Sequence, residues 1–155
     1  MYLRKCIFPV ILLSFAACSP GWQFHSAQSG DSLPKGLYDF LITFEKATLE
    51  HDTTALLQLM DADYRKQQYE DLLQGRTGQF FHEFYCGEQF NGKGYDCLAF
   101  DLIDAISRLE VHGGGDSYNV VYMVQSEGII IKATWTVTVK HIGKEVIYGM
   151  YGAVG

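Results

Sequence analysis

Several things are scarce in this chain of 155 residues. It has only 3 Pro and 4 Cys. Its longest apolar stretch, Ile7 to Leu13, falls well short of the roughly 20 residues that a membrane-spanning helix needs. Basic residues are also few, 12 against 18 acidic, for a formal charge of −6. With no basic face to neutralise phosphates, nucleic acid is excluded as an expected partner. There is no Gly-rich phosphate loop, no nucleophile elbow and no metal-ligand triad, so no cofactor and no metal is expected. What is present is a folding composition, 48% hydrophobic and 14% aromatic with 19% charged residues. That is far from the low-hydrophobicity, high-charge signature of disorder, and the length fits one domain.

The first 17 residues have the pattern of an export signal. Arg4 and Lys5 form a positive start, Ile7 to Leu13 an apolar middle, and Ser14-Phe15-Ala16-Ala17 a small-residue approach to Cys18. Ser14-Phe15-Ala16-Ala17-Cys18 resembles the lipobox of bacterial lipoproteins, with Phe15 where that family usually has Leu. The resemblance implies cleavage before Cys18 and acylation of that cysteine. With Ser19, not Asp, in the next position, it implies the outer membrane, with the domain facing the periplasm or the exterior. The alternative is an ordinary secretory signal with an incidental cysteine. Loss of the leader removes Arg4 and Lys5 but no acid. The mature chain then has 10 basic against 18 acidic residues, a balance of −8. Repulsion would hold such a body off an anionic membrane surface, so lipid must supply the membrane contact. Residues 18–33 read as a lipidated tether rich in Ser, Gly and Gln, about 20 Å in root-mean-square reach. Trp22 and Phe24 are the odd residues in it.

From Pro34 the chain turns helical. Leu37, Phe40, Leu41, Phe44 and Thr48 fall on one helix face, with Glu45, Lys46 and Glu50 outside it. His51-Asp52-Thr53 offers a break and an N-cap for a second helix carrying Ala55, Leu56, Leu59 and Met60. Asp61 to Gln74 favours helix, anchored by Tyr64, Tyr69, Leu72 and Leu73 and ended by Gly75. Thr77 to Tyr85 sets Phe80, Phe81 and Phe84 on one side of a further helix.

The second half changes to a two-residue period. Ile103, Ala105, Ser107, Leu109 and Val111 alternate with polar residues, Gly113 to Asp116 turns, and Tyr118, Val120, Tyr122 and Val124 resume the alternation. After a turn at Ser126 to Gly128, Ile129, Ile131, Ala133, Trp135, Val137 and Val139 line one face of a long strand. Val146, Tyr148 and Met150 form the last strand. The expectation is an α+β domain over residues 34–155, its N-terminal helices packed on a curved antiparallel sheet of about four strands.

This order resembles the nuclear transport factor 2-like superfamily, also called SnoaL-like or cystatin-like. The residues carrying the resemblance are the helix Leu37 to Glu50, the step from His51 to Leu57, the segment Gly75 to Phe84 and the closing strands through Lys144 to Gly149. The resemblance implies a cone-shaped pocket, for which Tyr38, Tyr64, Tyr122 and Trp135 are the lining candidates, and a sheet face through which homodimers form. Members range from isomerases and dehydratases to non-catalytic binding modules, so the fold does not fix a reaction.

In an exported, oxidising compartment, Cys86 and Cys97 read first as a disulfide. The alternative is a metal site adding His82 and Asp101 to the two cysteines. His141 and His112 are the candidate general bases, with Asp101 or Asp104 to orient them. A histidine at a strand end beside a turn is more often solvated. The favoured function is that of a lipid-anchored envelope module binding a small apolar ligand or a protein without chemistry of its own. The alternatives are a SnoaL-like isomerase, dehydratase or hydrolase, and a periplasmic inhibitor or immunity protein.

Overall fold

The computed structural model describes residues 33–68 and 73–153. The leader, Cys18, Trp22, Phe24, Tyr69 and Leu72 lie outside the described residues. The chain is α+β, and among the described residues it forms four α-helices and one antiparallel sheet of six strands.

The helices are α1 (Lys35–Leu49), α2 (Thr53–Leu59), α3 (Ala62–Gln67) and α4 (Thr77–Phe84). Along α1, Leu37, Leu41, Phe44 and Thr48 are buried, as the apolar spacing predicts. Asp52 caps α2 by accepting from the Ala55 amide at 2.9 Å, and His51 takes φ 53° to make the break. Of the predicted helix over Asp61 to Gln74, α3 covers the first part, and residues 69–72 lie outside the described residues. Asp61 caps α3 through the Asp63 and Tyr64 amides, α3 ends at Gln67, and Leu73, an expected anchor, is exposed.

The strands are β1 (Cys86–Gln89), β2 (Tyr95–Cys97), β3 (Ile103–Gly114), β4 (Ser117–Ser126), β5 (Ile129–Ile142) and β6 (Glu145–Ala153). Six strands replace the expected four because the Cys86 to Cys97 segment, for which no strand was expected, is a short hairpin. The sheet runs β2-β1-β5-β4-β3, and β6 also pairs with β5. β1 takes the rungs at Ile131 and Lys132, and β6 those from Trp135 to Ile142, so the two lie end to end along one edge of β5.

β5 alternates as predicted, with Ile131, Ala133, Trp135, Val137 and Val139 buried. β3 does not. Bulges between Ile103 and Ala105 and between Arg108 and Glu110 each insert one residue. The first moves Ile106 and Arg108 onto the inward rungs, opposite Val124 and Tyr122, in place of Ala105, Ser107 and Leu109. The second restores the predicted parity at Val111.

Trp135 is the centre of the core. Its ring lies 5.2 Å from that of Phe84, 5.3 Å from Tyr122, 5.4 Å from Phe44 and 5.5 Å from Tyr85, and its Nε1 donates to the Phe84 carbonyl at 3.1 Å. Burying each such ring contributes roughly 2–3 kcal/mol from transfer alone, with further gain from edge and stacked contacts. Tyr85 satisfies its hydroxyl against Thr48 at 2.8 Å.

Candidate functional site

Polar chemistry enters the interior where α1 crosses β3 and β4. Arg108 is buried, and its Nε meets Glu45 Oε1 at 3.2 Å. The Tyr122 hydroxyl donates to the same carboxylate oxygen at 3.0 Å, and the Arg108 guanidinium lies 5.3 Å from the centre of the Tyr38 ring. Arg108 Nη1 is buried without a hydrogen-bond acceptor. Burial pushes the Glu45 carboxyl above its ordinary value, against the charge of Arg108 and the hydrogen bond from Tyr122. Burial and the Glu45 charge also push the Tyr122 hydroxyl well up, so it stays protonated as a donor. The arrangement ties helix to sheet through an ion pair.

Glu45 and Arg108 were not among the expected site residues. Glu45 stands beside the apolar stripe of α1, seven residues from Tyr38, and this seam was the available sign. Arg108 turns inward only because of the first β3 bulge, which leaves no mark in the alternation.

The four residues expected to line a pocket are found in packed surroundings. Tyr122 and Trp135 are fully buried among other rings, Tyr38 stacks on Arg108, and Tyr64 packs on Phe80, Phe84 and Tyr151. Burial, with the nearby Tyr151 and Glu83, pushes the Tyr64 hydroxyl up to about 12.

The structure does not bring the expected acid–base partners together. His112 is exposed and pairs with Glu110 at 2.7 Å, on the same strand. His141 is exposed opposite Val146, near the β5–β6 turn. Asp104 adjoins the Ile103–Ser126 rung, at the far end of the sheet from both histidines, and Asp101 lies beyond it on the one-turn 3-10 helix Phe100–Leu102. The general-base pairing expected for these four residues is therefore corrected: strand direction separates them.

Cys86 and Cys97 stand opposite each other in the β1–β2 hairpin and are disulfide-bonded. That bond removes both thiols from the alternative metal set, and among the described residues no group of three His, Cys, Asp or Glu could hold an ion. The other two members of that set, His82 and Asp101, meet at a surface hollow of about 390 Å³ lined also by Phe81, Phe100 and Thr53.

The same hairpin exposes two aromatic residues. Glu88 is opposite both Tyr95 and Lys132. Phe90 follows two residues later, its amide bonded to the Ile130 carbonyl at 2.9 Å. Parity therefore places Phe90, Tyr95 and Ile130 on one side of the sheet, with Glu88 and Lys132 among them. Phe90 is 61% exposed and Tyr95 59%, while Gln89 bonds Asp96 on the other side. Comparison of the chain with protein-family models, with curated proteins and with solved structures finds no match.

Proposed function

We propose that this chain is a lipid-anchored module of the bacterial cell envelope. It is acylated at Cys18, and its nuclear transport factor 2-like domain binds a partner protein through the outer sheet face without chemistry of its own. The observation that carries this reading is the disulfide-closed β1–β2 hairpin. A disulfide between Cys86 and Cys97 suits an oxidising compartment outside the cytoplasm, as the leader and lipobox imply. The same bond stiffens the hairpin that holds Phe90 and Tyr95 out of the core, and pre-ordered aromatic side chains are typical anchors of protein interfaces. The two bulges of β3 support the curved sheet of the family resemblance.

Two measurements in intact cells test this reading. Metabolic labelling with an alkyne fatty acid should mark the protein and fail on the Cys18→Ala variant. A benzophenone side chain in place of Tyr95 should give discrete cross-linked species on irradiation, and the same group at exposed Thr54 should not. Absence of acylation overturns the anchor. Equal cross-linking at the two positions overturns the binding surface.

A further inference from the structure

The end of the sheet opposite the disulfide hairpin has an apolar tip with no use inside the domain. β5 outruns β4. Ser117 pairs with Thr138, the Val139 amide reaches the Asp116 carbonyl, and beyond that point β5 is paired only with β6. The projecting ribbon carries Ile142 at 62%, Val146 at 43% and Ile147 at 45% exposure. Ile142 is opposite Glu145 and Ile147 opposite Lys140, which sets the two isoleucines on one side of the ribbon. Val146, opposite His141, is on the other. Lower in the sheet only one side faces a core. Here Ile142 and Ile147 on one side, beside Lys140 and Glu145, and Val146 on the other, beside His141, all stand exposed.

The chain enters the domain at this same end. Pro34 begins α1, and at Gly36 an added Cβ would lie 3.0 Å from the Tyr148 ring. Phe40 packs on that ring at 5.9 Å. Tyr148 is the residue after Ile147. A tether joining Cys18 to Leu33 therefore delivers the domain to a membrane with the β5–β6 tip close to the lipid.

We infer that the β5–β6 tip, through Ile142, Val146 and Ile147, inserts into the surface of the bilayer that holds the anchor. This rests on the reading that Cys18 is acylated. Lys144 and Lys35 flank the tip and can reach lipid phosphates while their stems lie along apolar surface. The charge of Lys140 is already held by Asp61 at 3.0 Å and Asp63 at 2.9 Å. Asp39, Asp116 and Glu145 offset the remaining lysines, so the contact is apolar in character and not a basic patch. A free acidic domain would bind weakly in this way. Tethering raises the local concentration of the tip at the surface, so a weak insertion is enough to orient the domain.

The test uses the acylated mature protein reconstituted into phosphatidylethanolamine–phosphatidylglycerol vesicles. With Cys18 acylated and Cys86 bonded to Cys97, an added cysteine is the one free thiol for an environment-sensitive fluorophore. At Ile142→Cys, and separately at Lys144→Cys, emission should shift to the blue and be quenched several-fold by nitroxide-bearing lipids. At Asn91→Cys, in the opposite hairpin, emission should stay water-like. Near-ultraviolet circular dichroism checks that each variant is folded, and position 144 keeps the test valid should position 142 disturb the fold. Flotation with vesicles but water-like emission at both tip positions overturns the insertion and leaves the anchor standing. Equal quenching at 91 and 142 overturns the end-on placement. Failure to float overturns the anchor reading, and the insertion with it.

Discussion

Arg108 and Glu45 form an ion pair whose value depends on having both members. A buried pair gains little over well-packed apolar side chains, yet removal of one member leaves a desolvated charge behind. Glu45 is 18% exposed and relaxes partly into water. Arg108→Ala should therefore cost about 3 kcal/mol, the lower end for such pairs, read by urea unfolding. The triple change Glu45→Leu, Arg108→Met and Tyr122→Phe removes every partner together and should return stability to within about 1 kcal/mol of the parent. A triple variant no more stable than Arg108→Ala would show that the ion pair contributes net stability.

Two carboxylates give opposite pH dependence. Glu45 has its pKa raised above 4.5 in the folded state, chiefly by burial, so folding takes up protons and its contribution is lost as pH rises from 4.5 through the raised value. For Asp61, burial raises the pKa but is outweighed by the Thr138, Lys140, Asp63 and Tyr64 hydrogen bonds, and the net value falls below 3.8. Its contribution is present above 3.8 and lost as pH falls through the lowered value. Glu45→Gln should thus gain relative to the parent between pH 4 and pH 7.5, because glutamine does not ionise. Asp61→Asn should lose relative to the parent as pH rises from 2 to 5. Unfolding curves at three pH values separate the two, and parallel shifts in both variants would refute the assignment.

Among the elements, the β1–β2 hairpin depends most on its special residues. Its disulfide closes a 12-residue loop, and in the chain-entropy model that contributes about 3 kcal/mol. Cys86→Ser with Cys97→Ser should lower the unfolding free energy by about that amount under oxidising conditions. Under full reduction the difference from the parent should shrink toward zero. Gly87 is the second special residue. A Cβ there would fall 2.4 Å from the Lys132 carbonyl oxygen and 2.9 Å from its carbon, both backbone atoms of β5 that cannot rotate away. Gly87→Ala should force β1 off β5, at about 1–3 kcal/mol, and expose the Phe90 amide, which bonds the Ile130 carbonyl of β5, to hydrogen exchange. These features also mark how far the elements could be read from sequence. The stripe of α1, the Asp52 cap and the alternation of β5 were legible because each is a local pattern. The hairpin was not, since CGEQ and YDC are too short for a period to register, and only the cysteine pair hinted at it. The bulges of β3 were invisible for another reason. One inserted residue reverses parity without changing composition, so Arg108 looked like a surface residue and Ile106 like an outward one.

For the whole molecule, what matters is that β5 has different neighbours at its two ends. Phe90 bonds at Ile130 and the tip lies at Ile142, twelve residues away, or about 40 Å along a strand. The α1 start lies at the tip end. The sequence alone could not give this arrangement, because it follows from which rungs β1 and β6 take along β5. It makes the length of the proposed tether a test of the end-on placement. With tip insertion the domain is held upright, and the disulfide hairpin stands off the membrane whatever the tether length. Deleting residues 23–28 would shorten the segment between Cys18 and Leu33, cutting its fully extended reach from about 50 Å to about 30 Å. That is ample for a tip already at the surface and too short for the hairpin about 40 Å away. In vesicles, the fluorophore at Ile142→Cys should keep its blue-shifted emission after the deletion. A thiol at Asn91→Cys should react with a membrane-impermeant maleimide at the same rate before and after it. If the hairpin were the end resting on the membrane, the deletion would pull it away and speed that reaction several-fold.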